Sequence, residues 1–128
     1  MELNIPLNTK GIKRKKVKPA DSATSYGSGL VDVFASPAMI ALMEQTSMES
    51  ILSFLPPGTG SVGIAVDIRH IKATPIGMEV YCETVLQKID GKKLYFKVEA
   101  FDEDGLIGTG KHTRYLIDTK SFIQSITK

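Results

Sequence analysis

Residues 36–70 read SPAMIALMEQTSMESILSFLPPGTGSVGIAVDIRH, and within them the hydrophobic period changes from that of a helix to that of a strand. Ser36-Pro37 opens the helix, because a hydroxyl residue is a preferred N-cap and proline suits the first helical position. The helix is expected to run to Leu55, where Pro56-Pro57-Gly58 stops it. At about 100° per residue, Met43, Phe54, Ser47, Ile40, Ile51, Glu44, Leu55, Met48, Ala41 and Leu52 fill one continuous arc, with Glu44 near its centre. Gln45, Glu49, Ser53, Thr46 and Ser50 fall on the opposite arc and read as solvated. A carboxylate on an apolar face neutralises or acquires hydrogen-bond partners. Glu44 is therefore either a structural acid held by an arginine or backbone donors, or a group poised for acid, base or nucleophile work.

Beyond the prolines the period is 2. Val62, Ile64, Val66 and Ile68 alternate with Gly63, Ala65, Asp67 and Arg69, which predicts a half-buried strand whose apolar side continues to His70. Met78, Val80, Cys82, Thr84 and Leu86 begin a second strand. Asp90-Gly91 is a hairpin signal, Leu94 to Ala100 gives a third strand, and Asp104-Gly105 turns into a fourth from Leu106 to about Asp118. A weaker strand precedes the helix. The predicted class is α+β, an antiparallel sheet with one long helix on a face. One helix cannot cover a wide sheet, so the sheet either curves strongly around it or leaves an edge that pairs in a homodimer.

The 128 residues, 42% hydrophobic and 23% charged, form a single domain over 1–128, with the basic segment 1–16 and the tail 119–128 at its periphery. A net charge of +2 identifies no partner. With no long apolar run and no signal-peptide pattern, the expected location is the cytoplasm, away from membranes. Lys13-Arg14-Lys15-Lys16-Val17-Lys18 is better read as an edge strand whose lysines block pairing than as a nucleic-acid patch, and no nucleic-acid partner is expected. The single cysteine, Cys82, reads as a core or sheet residue. No metal-ligand spacing and no phosphate-cradling loop is present, so no metal and no cofactor is expected.

Glu44 and His70 each face the apolar side of their own element, and packing of helix on sheet would let them meet as an acid–base pair. For His70 the competing reading is a core histidine bonded to backbone. Ser36 adds a hydroxyl at the helix N-terminus, Gly63 allows close approach to backbone or marks a bulge, and Arg114, sharing a strand face with His112, can pair with Glu44. Tyr26-Gly27-Ser28-Gly29 lies in a lid-like loop.

Taken together, the run from Tyr26 to Glu44, Ser61 to His70, Ala73 to Met78, Asp90 to Phe96 and Gly110 to Arg114 resembles the fluoroacetyl-CoA thioesterase-like group of hotdog-fold proteins, over nearly all residues from Val17 to Asp118. The resemblance implies a hotdog fold, a curved antiparallel sheet wrapped around one long helix. It implies a homodimer, or a dimer of dimers, that hydrolyses an acyl-CoA, with CoA entering only as part of the substrate. It puts Ser36 at the family's active-site threonine, Glu44 at its glutamate and His70 at its histidine. Gly63 would offer an N–H to the thioester oxygen, and Arg114 would support the polar network. Gly27 and Leu30 stand where the specialised enzyme carries aromatic lid residues, so Leu30 is expected to contact substrate and fluoroacetyl specificity is not expected. The alternative is a hotdog protein that binds an acyl-CoA without turnover.

Overall fold

Alternation at period 2 after Pro57 produces the four strands it predicts, and the basic N-terminal stretch contributes a fifth. A computed structural model of the chain describes residues 4–127; of the N-terminal segment, residues 1–3, and of the tail, residue 128, lie outside the described residues. In chain order the elements are β1 (Lys10–Lys16), a short helix α1 (Ala23–Tyr26), the long helix α2 (Ser36–Ile51), β2 (Thr59–His70), β3 (Glu79–Asp90), β4 (Lys93–Asp102), β5 (Gly105–Asp118) and α3 (Thr119–Ile126). The strands form one antiparallel sheet in the order β1-β3-β4-β5-β2, with α2 against one face. This is the α+β hotdog arrangement the sequence predicts. Gly91 and Gly105, both at positive φ, make the two tight turns.

The two sheet edges differ in chemistry. β1 is an edge, as expected of the basic run, and its lysines and arginine lie along that edge. β2, the other edge, carries Ile64 and Val66 at 50% and 48% exposure. The expected half-buried strand is thus uncovered along its middle. A β-bulge interrupts its pairing with β5 between Gly63 and Ala65, which re-aims the chain there.

Three expectations about the long helix are corrected. It ends at Ile51 and passes through a 3₁₀ turn, Leu52–Phe54, before the prolines. Its N-cap is Ala35, so Ser36 is the first helical residue and its hydroxyl is committed elsewhere. The core-facing side is Ala38, Met39, Leu42, Met43, Thr46, Ser47 and Ile51, packed on Val80, Cys82, Leu86, Leu94, Phe96 and Val98. Glu44 lies at the rim of that side rather than at its centre, on a half-exposed flank with Ile40 and Met48. The misreading has a physical cause: apolar residues occur all round this helix, and Thr46 and Ser47 tolerate burial because their hydroxyls donate to the carbonyls of Leu42 (2.7 Å) and Met43 (2.8 Å), one turn back. Cys82 is the buried sheet residue expected, its thiol pKa pushed up to about 11 by burial. None of the helices among the described residues is long and apolar enough to cross a membrane.

Candidate active site

The flank of α2 that carries Glu44 faces β2 at its bulge, and Gly63 makes the approach feasible. A Cβ at position 63 would lie 2.7 Å from Glu44 Oε2, 3.0 Å from His112 Cε1 and 3.5 Å from Arg114 Nη1. The hydrogen of Gly63 is therefore what leaves room for the carboxylate over the strand. Glu44, Gly63, Ile64, Ala65, Val66 and His112 line a recess of about 250 Å³ that opens at the β2 edge.

Beneath the carboxylate, β5 supplies His112 and Arg114, both buried and one above the other on the helix-facing side of the sheet. The His112 Nδ1 lies 2.8 Å from the Ala65 carbonyl, which can only accept, so this nitrogen carries the proton. Its Nε2 then accepts from Arg114 Nη1 at 3.1 Å, because a guanidinium can only donate. The ring is held in one neutral tautomer. Burial pushes its pKa below the usual value of 6.5, with Arg114 adding to the shift while the Ala65 carbonyl and Glu44 oppose it. Arg114 directs two further donors to Ser61, Nε to the hydroxyl at 2.8 Å and Nη2 to the carbonyl at 2.9 Å. Burial lowers the arginine pKa, and the charge of Glu44 works against that. Arg114 is thus a buried cation next to Glu44 that is held by Ser61 and His112 and acts on the carboxylate through its field.

A second cluster forms at the N-terminus of α2. Ser36 Oγ is 2.7 Å from His70 Nδ1. The ring is partly buried, which lowers its pKa below 6.5, with the Lys72 backbone favouring the charged form. Its Nε2 is buried and has no hydrogen-bond partner among the described residues, a condition that costs on the order of 1–3 kcal/mol unless another group fills it. The pair sits in a cleft of about 320 Å³ lined also by Phe34, Ala35, Ile71, Lys72 and Ala73. The chain beyond His70 is anchored by Asp102, buried below it, which accepts from Lys72 Nζ (2.6 Å) and Thr74 Oγ1 (2.8 Å).

The structure therefore joins Ser36 with His70, and Glu44 with Gly63 and the field of Arg114, but it does not join the two groups. Eight helical residues put Ser36 about 12 Å from Glu44 along the axis, and seven strand residues put Gly63 about 23 Å from His70. The expected meeting of Glu44 and His70 within one chain does not occur. Leu30 is 97% exposed on the loop before α2 and lies on neither recess wall of its own chain. His112 belongs to the Glu44 cluster although the sequence singled it out only as a neighbour of Arg114. Its i, i+2 spacing on one strand face was the available signal, and the bond to Ala65 was not foreseeable.

Comparison with known proteins agrees with this fold. The family model for the fluoroacetyl-CoA-specific thioesterase FlK matches residues 17–120. Fluoroacetyl-CoA thioesterase of Streptantibioticus cattleyicolor is 36% identical over 91 residues, which is 71% of this chain and 66% of that enzyme. The chain thus spans just under two thirds of that relative in sequence. The solved structure of the fluoroacetyl-CoA thioesterase FlK superposes with a TM-score of 0.89 at 28% identity, covering 98% of this chain and 99% of that one. A FlK variant in complex with fluoroacetate and CoA gives 0.86 at 29% identity, covering 92% and 99%. With the matched span running from the end of β1 through the whole helix and sheet, the chain belongs to the fluoroacetyl-CoA-specific thioesterase family.

Proposed function

We propose that the chain is an acyl-CoA thioesterase, acting as a homodimer on small or medium acyl groups, with Glu44 as base or nucleophile. The observation that carries this reading is the pair of half-sites, Glu44 over Gly63 and Ser36 on His70, at the two ends of one unguarded edge strand. A thioester is far smaller than the separation between them, so one chain alone cannot apply both to it. Antiparallel pairing of two β2 strands about a two-fold axis near Val66 and Asp67, midway between Gly63 and His70, sets the Ser36–His70 end of each copy against the Glu44–Gly63 end of the other. That arrangement is isologous and closed. It also covers Ile64 and Val66, which a lone chain leaves exposed.

In this site water attacks the thioester carbonyl carbon as Glu44 takes its proton. The tetrahedral intermediate, its oxygen facing the Gly63 N–H, then expels CoA thiolate, and the proton held by Glu44 passes through the neutral His70 ring to the sulfur, leaving carboxylic acid, thiol and both side chains in their starting states. In the nucleophilic variant Glu44 attacks the carbonyl and expels CoA thiolate, which is protonated by way of His70, and water opens the resulting anhydride to the carboxylic acid and free Glu44. Ser36 positions the attacking water or the acyl oxygen, and a well-aimed oxyanion donor at Gly63 contributes about 3 kcal/mol. A single turnover in ¹⁸O-water separates the routes, since only the anhydride route labels the Glu44 carboxylate. The assay for the function is thiol release from a panel of acyl-CoAs, with Glu44→Gln alongside. We expect a loss of at least about 100-fold, the scale of general-base catalysis. Tight acyl-CoA binding without thiol release, or hydrolysis indifferent to the substitution, is the result that defeats the reading.

A further inference from the structure

We propose that α3 of one copy walls the acyl site of the other, its apolar stripe packing on the partner's exposed patch of Leu30, Val31 and Ile71. This rests on the homodimer reading above and extends it to a substrate-shaping role for the C-terminal helix. At about 100° per residue, Phe122, Ile126, Thr119 and Ile123 fall within one arc of α3, while Lys120, Ser121, Gln124 and Ser125 occupy the rest. Much of the stripe is uncovered in its own chain: no residue of α3 is fully buried, Phe122 is partly covered, and Ile123 and Ile126 are 52% and 64% exposed.

The helix is nonetheless placed firmly. Asp118, the last residue of β5, accepts from the Ser121 N–H at 2.9 Å, and the Thr119 N–H donates to the Gly58 carbonyl at 2.9 Å. These bonds fix α3 at the Thr59 end of the β2 edge. At the other end of that edge lies the second uncovered patch, with Leu30 at 97%, Val31 at 64% and Ile71 at 54% exposure. Its loop is pinned by the bridge between Val33 and Pro75. An axis near Val66 and Asp67 lies as many residues from Thr59 as from Thr74, so the pairing that completes the chemistry also sets α3 of each copy opposite the patch of the other. A second copy is the occupant because the same two-fold makes the contact twice. The polar face of α3, with Lys120 its only described basic residue, lacks the cationic character of a helix that lies on a membrane. The contact bounds the composite site at its outer end, beyond the thioester itself, and limits the length of the acyl chain.

The test uses the full chain. Differently tagged copies carrying Leu30→Cys and Ile123→Cys are co-expressed and treated with a short bis-maleimide, with the mass of the wild type measured by sedimentation. Cys82 is buried and does not compete. We expect a cross-link between the two tags, absent when either cysteine is omitted. Ile123→Glu with Ile126→Glu should raise KM for medium-chain acyl-CoAs at least tenfold while changing KM for acetyl-CoA less than threefold. A dimer that gives no cross-link and keeps its chain-length profile overturns the wall while leaving the homodimer standing. A monomeric wild type overturns both.

Discussion

Gly63→Ala isolates the contact on which the Glu44 half-site depends. The backbone at position 63 does not have positive φ, so alanine fits the strand, and its effect comes from the methyl alone. That methyl meets Glu44 Oε2 at 2.7 Å, whereas ordinary contact begins at 3.4 Å, so the carboxylate must retreat by about 0.7 Å. His112 Cε1, at 3.0 Å, is bonded at both ring nitrogens and gives way less readily than a glutamate terminus. Glu44 therefore moves and the scaffold stays. The stability cost should be small, about 1 kcal/mol at the low end of overpacking, or a fall in Tm of about 3–6 °C. Displacement of a reacting group approaching 1 Å costs on the order of 100-fold in rate. We expect kcat on acetyl-CoA, followed by thiol release, to fall about 30- to 100-fold with KM changed by less than threefold. A kcat within twofold of wild type, in a variant whose melting is preserved, refutes the claim that this approach positions the base.

Three further outcomes follow from the same geometry. Because burial lowers the pKa of His70, the neutral ring dominates at pH 7; kcat/KM should rise with pH to a plateau with a midpoint below 6.5, and a midpoint above 6.5 would contradict the site. His112, buried neutral with a lowered pKa, contributes stability that is present above its unfolded value near 6.5 and lost as pH falls through the folded value. Tm should therefore drop from pH 7 to pH 5, less so in His112→Gln, while the lowered pKa values of Asp21 and Asp102 act in the more acidic range below 3.8; a Tm that is flat or rises on acidification is the opposite result. Ser36→Thr should raise kcat about threefold at most, the factor gained when one of three staggered rotamers is fixed, with a decrease of tenfold or more showing that the extra methyl does not fit beside His70.

Much of the fold was legible because hairpin signals such as Asp90-Gly91 and Asp104-Gly105 are local, and because alternation from Leu94 to Ala100 leaves little freedom in register. The orientation of α2 was less legible. Leu42 and Met39 point to one side and Ile40 and Met48 to another, and only the sheet decides which side is covered. Ser36 illustrates the same limit: a hydroxyl before a proline satisfies the capping rule, yet Ala35 occupies the cap and the hydroxyl binds His70, a residue 34 positions away. The half-sites share a cause. In the proposed dimer each is completed by a contact across the β2 edge, and hydrophobic period reports which face of a strand is buried but not what lies beyond its edge.

In the proposed dimer, the placement of the two half-sites along α2 sets the direction in which a thioester would lie between copies. The N-terminus of a helix carries about half a positive charge, which fades within the first turn. Ser36 and His70 stand at that end, where a developing thiolate is stabilised and a protonated imidazole is disfavoured. Glu44 stands two turns on, where the dipole contributes little and the buried Arg114 supplies the compensating charge. A base placed at the N-terminus would be held as its carboxylate too firmly to take a proton. A leaving sulfur placed beside Glu44 would face a like charge. The proposed dimer would therefore hold the acyl carbonyl at Gly63 and Glu44 of one copy, with the sulfur toward Ser36 and His70 of the other.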